Sequence, residues 1–181
     1  MDLQVKHKQK NPVLLLEIFL IQNSDKKSVQ IDLKSTKGKE IALNLIKSAD
    51  VFVENMRPGK ADSLGLGWDQ ISSIHNKIVY CSISAYGQDG PLKKRGAYDH
   101  VVQGMTGIMT TTGTKESGPT KVGAPYIDYA TGLNAAFAIT AALHEIKESN
   151  KSIRIDVSMM DTSLLLMANM VTEHLNSGWI P

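Results

Sequence analysis

Asp128 is the side chain best placed to do chemistry. It lies in Lys121-Val122-Gly123-Ala124-Pro125-Tyr126-Ile127-Asp128-Tyr129-Ala130-Thr131-Gly132, a Gly- and Pro-containing loop that runs into a long apolar helix. A carboxylate with an unperturbed pKa of about 3.9 is ionised at neutral pH, the form used in covalent and proton-transfer catalysis. The local pattern alone also gives a simpler role, since an acid at a helix start satisfies free backbone donors and complements the helix dipole. Other candidates offer less. Cys81 sits in the strand-like Lys77-Ile78-Val79-Tyr80-Cys81-Ser82-Ile83-Ser84, the setting of a buried, inert thiol. Gly87-Gln88-Asp89-Gly90-Pro91 and Thr112-Gly113-Thr114 lack the Gly-Lys-Ser/Thr ending of a phosphate loop. Asp161 and Glu173 have no His or second carboxylate at ligand spacing, so no metal is assigned. Lys93-Lys94-Arg95 reads as a solvated loop.

The elements that must position Asp128 alternate between strand and helix signals. Ser28-Val29-Gln30-Ile31-Asp32-Leu33 alternates as a strand does. Ser35 or Thr36 can cap a helix from Lys37 to Ala49, with Ile41, Ala42, Leu45 and Ile46 on one face. Next come a short buried strand, Val51-Phe52-Val53, the Pro58-Gly59 breaker, and a small helix ending around Leu64-Gly65-Leu66-Gly67. A helix from Trp68 to His75 then precedes a strand from Ile78 to Ser84. This order predicts an α/β fold with a parallel, Rossmann-like sheet and crossover helices, ligands binding at the carboxyl ends of its strands. Asn55-Met56-Arg57 and Ala85-Tyr86-Gly87-Gln88 hold such positions. Helices are expected over Asp99 to Met109, Ala130 to Lys147 and Ser163 to Leu175, with a Thr/Gly/Lys-rich loop from Thr110 to Gly123. The last two helices are apolar nearly all round, which predicts burial in a large core or an oligomer interface.

Composition narrows the class. The 181 residues are 42% hydrophobic and 21% charged, an ordinary globular balance able to bury a core. The net charge of +2 comes from dispersed basic residues, so no nucleic-acid partner is expected. The lone Cys81 excludes an internal disulfide and points to a reducing cytoplasm. His7-Lys8-Gln9-Lys10 ahead of Val13 to Ile21 has the outline of a signal peptide, but Glu17 breaks the apolar run and Gln22-Asn23-Ser24-Asp25 offers no small-residue cleavage site. The run is also too short to cross a bilayer, so no membrane partner is expected.

A set of motifs in order carries a family resemblance. Asn23-Ser24-Asp25-Lys26-Lys27-Ser28 leads into Ile31-Asp32-Leu33-Lys34, then Ala49-Asp50-Val51-Phe52-Val53-Glu54-Asn55-Met56-Arg57-Pro58-Gly59 and Leu64-Gly65-Leu66-Gly67. Further on stand Tyr80-Cys81-Ser82-Ile83-Ser84, Gly87-Gln88-Asp89-Gly90-Pro91, Tyr98-Asp99, Gln103-Gly104-Met105-Thr106-Gly107, Asp128, and Ile155-Asp156-Val157-Ser158-Met159-Met160-Asp161. Each is weak alone. In this order and at this spacing they resemble the family III CoA-transferases from near Phe19 to Pro181.

The resemblance implies that Asp128 is the nucleophile. Its carboxylate would attack an acyl-CoA thioester, pass through a mixed anhydride and become an aspartyl-CoA thioester that a small carboxylic acid opens. It also implies coenzyme A contacts at Ile31, Asp32, Leu33, Lys34, Asn55, Met56 and Arg57 along the nucleotide portion, and at Gly96, Ala97, Tyr98 and Asp99 near the thioester. Lys34 and Arg57 suit phosphate, one as a mobile point charge and the other through a planar donor fork. Ser63 stands where some relatives carry a basic residue, so phosphate binding there is expected to be weaker. The helix start after Asp128 is expected to offer N–H groups to an oxyanion.

The related 2-methylacyl-CoA racemases place a histidine where Tyr98 stands. Tyrosine, with a pKa near 10, is a poor base at neutral pH, which favours transfer over racemisation. His100 is offset by one position, about 100 degrees around a helix, and reads as a packing or surface residue. Family members are far longer than one domain supplies, so the chain resembles an internal fragment: residues 1–18 outside the match, and 19–181 a partial large domain without the first strand–helix unit and the small domain. The resemblance thus implies a homodimer or a complementing chain, an alternative being a catalytically incomplete remnant. Taken alone, the chain is expected to be poorly folded or to self-associate through uncovered faces.

Overall fold

The computed structural model describes Glu17 and residues 19–180. Most of the leader-like stretch, and of the expected non-matching segment 1–18, lies outside them. The chain divides into two compact units, residues 1–42 and 43–181.

In the first unit residues 19–22 are helical. The expected strand over Ser28–Leu33 is absent: residues 26–32 carry no regular structure and Val29 is exposed. Alternation suits a pleat, but a strand persists only where a neighbour satisfies its backbone groups, and no described strand pairs with this stretch. It ends instead in a polar turn. Asp32 Oδ1 accepts from the Lys34 N–H at 3.0 Å, and the Ser35 N–H and hydroxyl both donate to the Asp32 carbonyl, at 3.1 and 2.9 Å. The Ser35 oxygen then accepts from the Gly38 N–H at 3.0 Å and so caps helix α1 (Thr36–Lys47). A Cβ at Gly38 would overlap the Asp32 carbonyl oxygen, so the turn requires glycine there. Of the four apolar residues expected on one face of α1, Ala42 and Ile46 are buried while Ile41 and Leu45 are exposed.

The second unit holds three parallel strands, β1 (Val51–Glu54), β2 (Val79–Ser84) and β3 (Ile153–Ser158), in the order β1-β2-β3. Val79 lies opposite both Val51 and Ile153. Helices α2 (Lys60–Ser63) and α3 (Trp68–Ile74) join β1 to β2, close to the bounds the sequence predicts. Val53 of β1 is half exposed rather than buried, because β1 is paired on one edge only among the described residues. The crossover from β2 to β3 carries α4 (Asp99–Met105), α5 (Ile108–Thr112) and α6 (Tyr126–Ser149). The helix expected to be continuous from Asp99 to Met109 breaks at Gly107, whose φ of 85° is the left-handed conformation glycine adopts without strain. Beyond β3, α7 (Met159–Leu166) and α8 (Ala168–Ser177) replace the expected single helix and meet at Met167.

Helix α6 covers one sheet face, while the other is covered over β1 and β2 and leaves Arg154 and Asp156 of β3 exposed. Ala135, Ile139, Ala142 and Ile146 recur at helical spacing and press α6 against Val79, Cys81, Ile153, Ile155 and Val157. Full burial of a valine or isoleucine side chain stabilises by roughly 1.5–3 kcal/mol, and the alanines and half-buried isoleucines contribute less. On the opposite face Tyr80 packs on Phe52 and Trp68, with ring centroids 5.3 and 5.9 Å away, and its hydroxyl donates to the Leu66 carbonyl at 3.0 Å. A further cluster of Val102, Ile108, Ile127, Met159 and Met167 locks α4, α5 and α7 onto the start of α6. That cluster fixes where α6 begins, four residues before the expected Ala130.

Candidate active site

A pocket of about 700 Å³ opens where all three strands end, the location expected for a ligand in a parallel sheet. Asn55, Met56, Arg57 and Pro58 leave β1, Ile83, Ser84 and Ala85 close β2, and Met159 follows β3. Arg95, Gly96, Ala97, Tyr98 and Val101 form another wall, and Asp128, Thr131 and Gly132 project from the first turns of α6. Among the described residues Asp128 is the only carboxylate in the lining.

The first turn of α6 shows what Asp128 is free to do. A helix start leaves four unpaired N–H groups. Here Tyr126 N–H bonds to the Ala124 carbonyl at 2.8 Å and Tyr129 N–H to the Pro125 carbonyl at 3.2 Å. The two between them, Ile127 and Asp128, donate to Oδ2 of Asp99 at 2.7 and 3.3 Å. Asp99 therefore caps α6 from another helix, and the Asp128 carboxylate is not used as a cap. The same bonds correct one expectation: the first-turn N–H groups of α6 are occupied and do not form an oxyanion site.

Asp128 stays exposed on one side, yet partial desolvation by the pocket wall, and after it the charge of Asp99, raises its carboxyl above the ordinary value. A more basic carboxylate is a stronger nucleophile while remaining a good partner for an acyl group. Asp99 itself is buried, and its other oxygen accepts from Gln103 Nε2.

The strand ends are held by side chains. Asn55 Nδ2 donates to the Ile83 carbonyl at 2.7 Å, and the buried Glu54 carboxylate accepts from the Met56 N–H at 2.9 Å. The guanidinium of Arg57 lies along Gly96: a Cβ there would sit in ordinary van der Waals contact, 3.7–3.9 Å from the guanidinium atoms. Ser84, also in the lining, is buried, and among the described residues its hydroxyl has no hydrogen-bond partner. Tyr98 is exposed at the rim and stacks on His100, ring centroids 6.2 Å apart.

Among the residues the sequence singles out, Asn55, Met56, Arg57, Gly96, Ala97, Tyr98 and Asp128 meet around this pocket, and Asp99 stands behind it as the cap. Ile31, Asp32, Leu33 and Lys34 belong to the first unit, where they form the approach to α1. Ser84 and Arg95 line the pocket although nothing in the sequence marks them as a site. The available signals are a hydroxyl at the carboxyl end of an apolar strand, and an arginine next to Gly96 within a run that otherwise looks solvated. Cys81 is fully buried, and burial followed by Glu54 and Asp156 pushes its thiol up to about 11. Among the described residues no group of three or more His, Cys, Asp and Glu side chains is placed to hold a metal, and no helix is long and apolar enough to cross a membrane.

A parallel sheet with helices and a pocket lined by one carboxylate at its carboxyl edge defines an α/β protein of Rossmann-like architecture. Residues 7–181 match CoA-transferase family III, so the match reaches back beyond Phe19. The chain belongs to that family. It is 37% identical over 157 residues to the human succinyl-CoA:glutarate CoA-transferase, covering 87% of this chain and 36% of that protein. It is 40% identical over 148 residues to the formyl-CoA:oxalate CoA-transferase of Streptomyces avermitilis, covering 82% and 36%. The crystal structure of a CAIB/BAIF family protein from Brucella suis superposes with a TM-score of 0.83 at 35% identity, covering 86% of this chain and 41% of that one. The chain thus spans little more than a third of the length of the two transferases.

Proposed function

We propose that this chain carries the nucleophile and part of the coenzyme A site of a CoA-transferase acting on an acyl-CoA donor and a small carboxylic acid. The observation that supports this most is Asp128, the one carboxylate in the described pocket lining, relieved of capping by Asp99 and made more basic. In the reaction, an Asp128 oxygen attacks the thioester carbonyl, the C–S bond breaks and CoA leaves as thiolate, giving a mixed anhydride. The thiolate then attacks the aspartyl carbonyl of the anhydride and expels the donor acid, leaving an aspartyl-CoA thioester. The acceptor carboxylate repeats the two steps in reverse and leaves as its own CoA thioester, which restores Asp128.

The surrounding residues have matching tasks. In the second unit Arg57 pairs with a CoA phosphate, and Asn55 and Met56 border the nucleotide portion; for the first unit the resemblance implies CoA contacts at Ile31, Asp32, Leu33 and Lys34. Gly96, Ala97 and Tyr98 border the thioester, and the Ser84 hydroxyl hydrogen-bonds a polar group of the bound acyl-CoA. Racemisation is disfavoured because the pocket residue is Tyr98, while His100 lies outside the lining.

The relatives named above act on succinyl-CoA with glutarate and on formyl-CoA with oxalate, which supports a dicarboxylic acid as acceptor. Tyr129, Leu133 and Phe137 follow one another at helical spacing on α6 and are exposed, which supports a second copy or a complementing chain lying there. The free thiol of Cys81 suits a reducing cytoplasm.

The test is CoA transfer from succinyl-CoA to a dicarboxylic acid, by the chain alone or joined to the remaining segments of a full-length relative. We expect transfer that is lost in Asp128→Asn, and no exchange of the α-proton of a 2-methylacyl-CoA in deuterated buffer. Transfer that survives Asp128→Asn, or rapid α-proton exchange, overturns the assignment.

A further inference from the structure

Asp99 is a costly residue to use as a cap. It is 7% exposed, and the described residues provide no cation within ion-pair distance of it. A buried carboxylate carries a desolvation penalty that a neutral Asn or Ser cap would avoid. Its partners are all donors: Gln103 Nε2 on one oxygen, the Ile127 and Asp128 N–H groups on the other. Three donors and no acceptor suit an ionised carboxylate.

Gln103 extends this chain of bonds. It is fully buried, lies one helical turn after Asp99 on α4, and accepts from the Val122 N–H through Oε1 at 2.9 Å. Both ends of the segment from Val122 to Asp128 are therefore fastened to α4 by two adjacent buried side chains. That segment contains Gly123 and Pro125, and it runs between the two attachments without regular structure until α6 starts.

We propose that Asp99 and Gln103 act together as a positioning pair for Asp128, aiming its carboxylate into the pocket through the first turn of α6 and setting its nucleophilic strength through the charge of Asp99. This rests on the assignment of Asp128 as nucleophile and adds the device that prepares it. The direction in which Asp128 is shifted agrees with the geometry, burial being the first cause and Asp99 the second. The other ionisable groups of the wall are Arg57, Arg95 and Tyr98, and α7 contributes only Met159.

The pair can be tested by swapping its polarity. Asp99→Asn alone brings an amide NH₂ against the Gln103 amide and breaks the chain of bonds. In the double variant Asp99→Asn/Gln103→Glu, the amide oxygen introduced at position 99 can still accept from Ile127 and Asp128. The new NH₂ there can donate to the carboxylate introduced at position 103, which can still accept from Val122. The hydrogen bonds return, while the charge moves one side chain away from Asp128. Carbon-13 titration of the Asp128 carboxyl, assigned by difference from Asp128→Asn, reads the charge. Hydrogen exchange at the Val122, Ile127 and Asp128 amides reads the hydrogen bonds.

We expect exchange to quicken about tenfold in Asp99→Asn at whichever of the Val122, Ile127 and Asp128 amides loses its acceptor as the clash is relieved, the loss of a hydrogen bond's worth of protection, and all three to return to the wild-type rate in the double variant. The Asp128 titration midpoint should fall in the double variant although its amides are protected again. A wild-type midpoint in the double variant removes the charge from the account, and unchanged exchange in Asp99→Asn removes the positioning. Neither readout needs an acyl-CoA, so the pair can fail while Asp128 remains the nucleophile. Conversely, loss of transfer activity bears on Asp128 alone.

Discussion

The side-chain amide of Asn55 donates to the backbone carbonyl of Ile83 at 2.7 Å, joining the carboxyl ends of β1 and β2 at the pocket mouth. Arg57, two residues on, is thereby carried on a braced segment, and its guanidinium rests against Gly96 on the facing wall.

Removing that guanidinium should weaken coenzyme A binding. A hydrogen bond to a charged group contributes about 1.5–3 kcal/mol, so Arg57→Ala should raise the dissociation constant for CoA by at least about tenfold. Arg57→Lys should recover part of the loss, since it keeps the charge but not the fork. Calorimetric titration at two salt concentrations checks both, the difference between variants shrinking as salt rises. Equal affinity of Arg57→Ala and wild type would remove Arg57 from the site.

Cys81 should be inert in the folded protein. It is fully buried, and its thiol, pushed up to about 11, is almost wholly protonated at neutral pH. Iodoacetamide should leave it unlabelled under native conditions and label it fully in denaturant. Rapid native labelling would mean that the β2–α6 packing opens readily.

Asp128→Asn should stabilise the fold at neutral pH. The carboxyl is raised in the folded state, so between its unfolded and folded pKa values the folded protein binds more protons and stability falls as pH rises. The cost persists at neutral pH, where the charge is held against partial desolvation and against Asp99. Thermal melts should show the variant more stable there, with the gain fading as pH drops through the ordinary carboxylate range of about 3.9. An equal midpoint at neutral pH would contradict this.

Gly38→Ala should disrupt the turn before α1. The added methyl meets the Asp32 carbonyl, and overpacking of this kind costs typically about 1–3 kcal/mol. Because Ile31 to Lys34 lead into that turn, CoA affinity should fall along with the melting temperature. A variant that melts and binds as wild type does would show that the turn yields without cost.

How far the fold is legible in the sequence depends on whether the cause is local. Strand β2 and helix α3 follow from continuous apolar and periodic signals and appear within a residue of their expected bounds. Ser28 to Leu33 alternates just as well yet forms no strand, because pairing depends on a neighbour the pattern does not contain. Strand β3 escapes the sequence reading for the opposite reason: Ile153-Arg154-Ile155-Asp156-Val157 alternates, but its polar members keep it from resembling a buried strand. At the site, the place of Asp128 is legible from its loop and the ordered motifs around it. The role of Asp99 is not, since the donors it caps lie 28 and 29 residues along the chain and come to it only through the packing of α4 on α6.

On the proposed mechanism, Asp128 forms a covalent bond to the acyl group. The most direct measurement is to incubate the protein, alone or joined to the remaining segments of a full-length relative, with succinyl-CoA, quench with hydroxylamine, and map the product by peptide mass spectrometry. We predict a hydroxamate on Asp128, absent without acyl-CoA and absent in Asp128→Asn. A hydroxamate on another residue, or one that persists in Asp128→Asn, would contradict the claim.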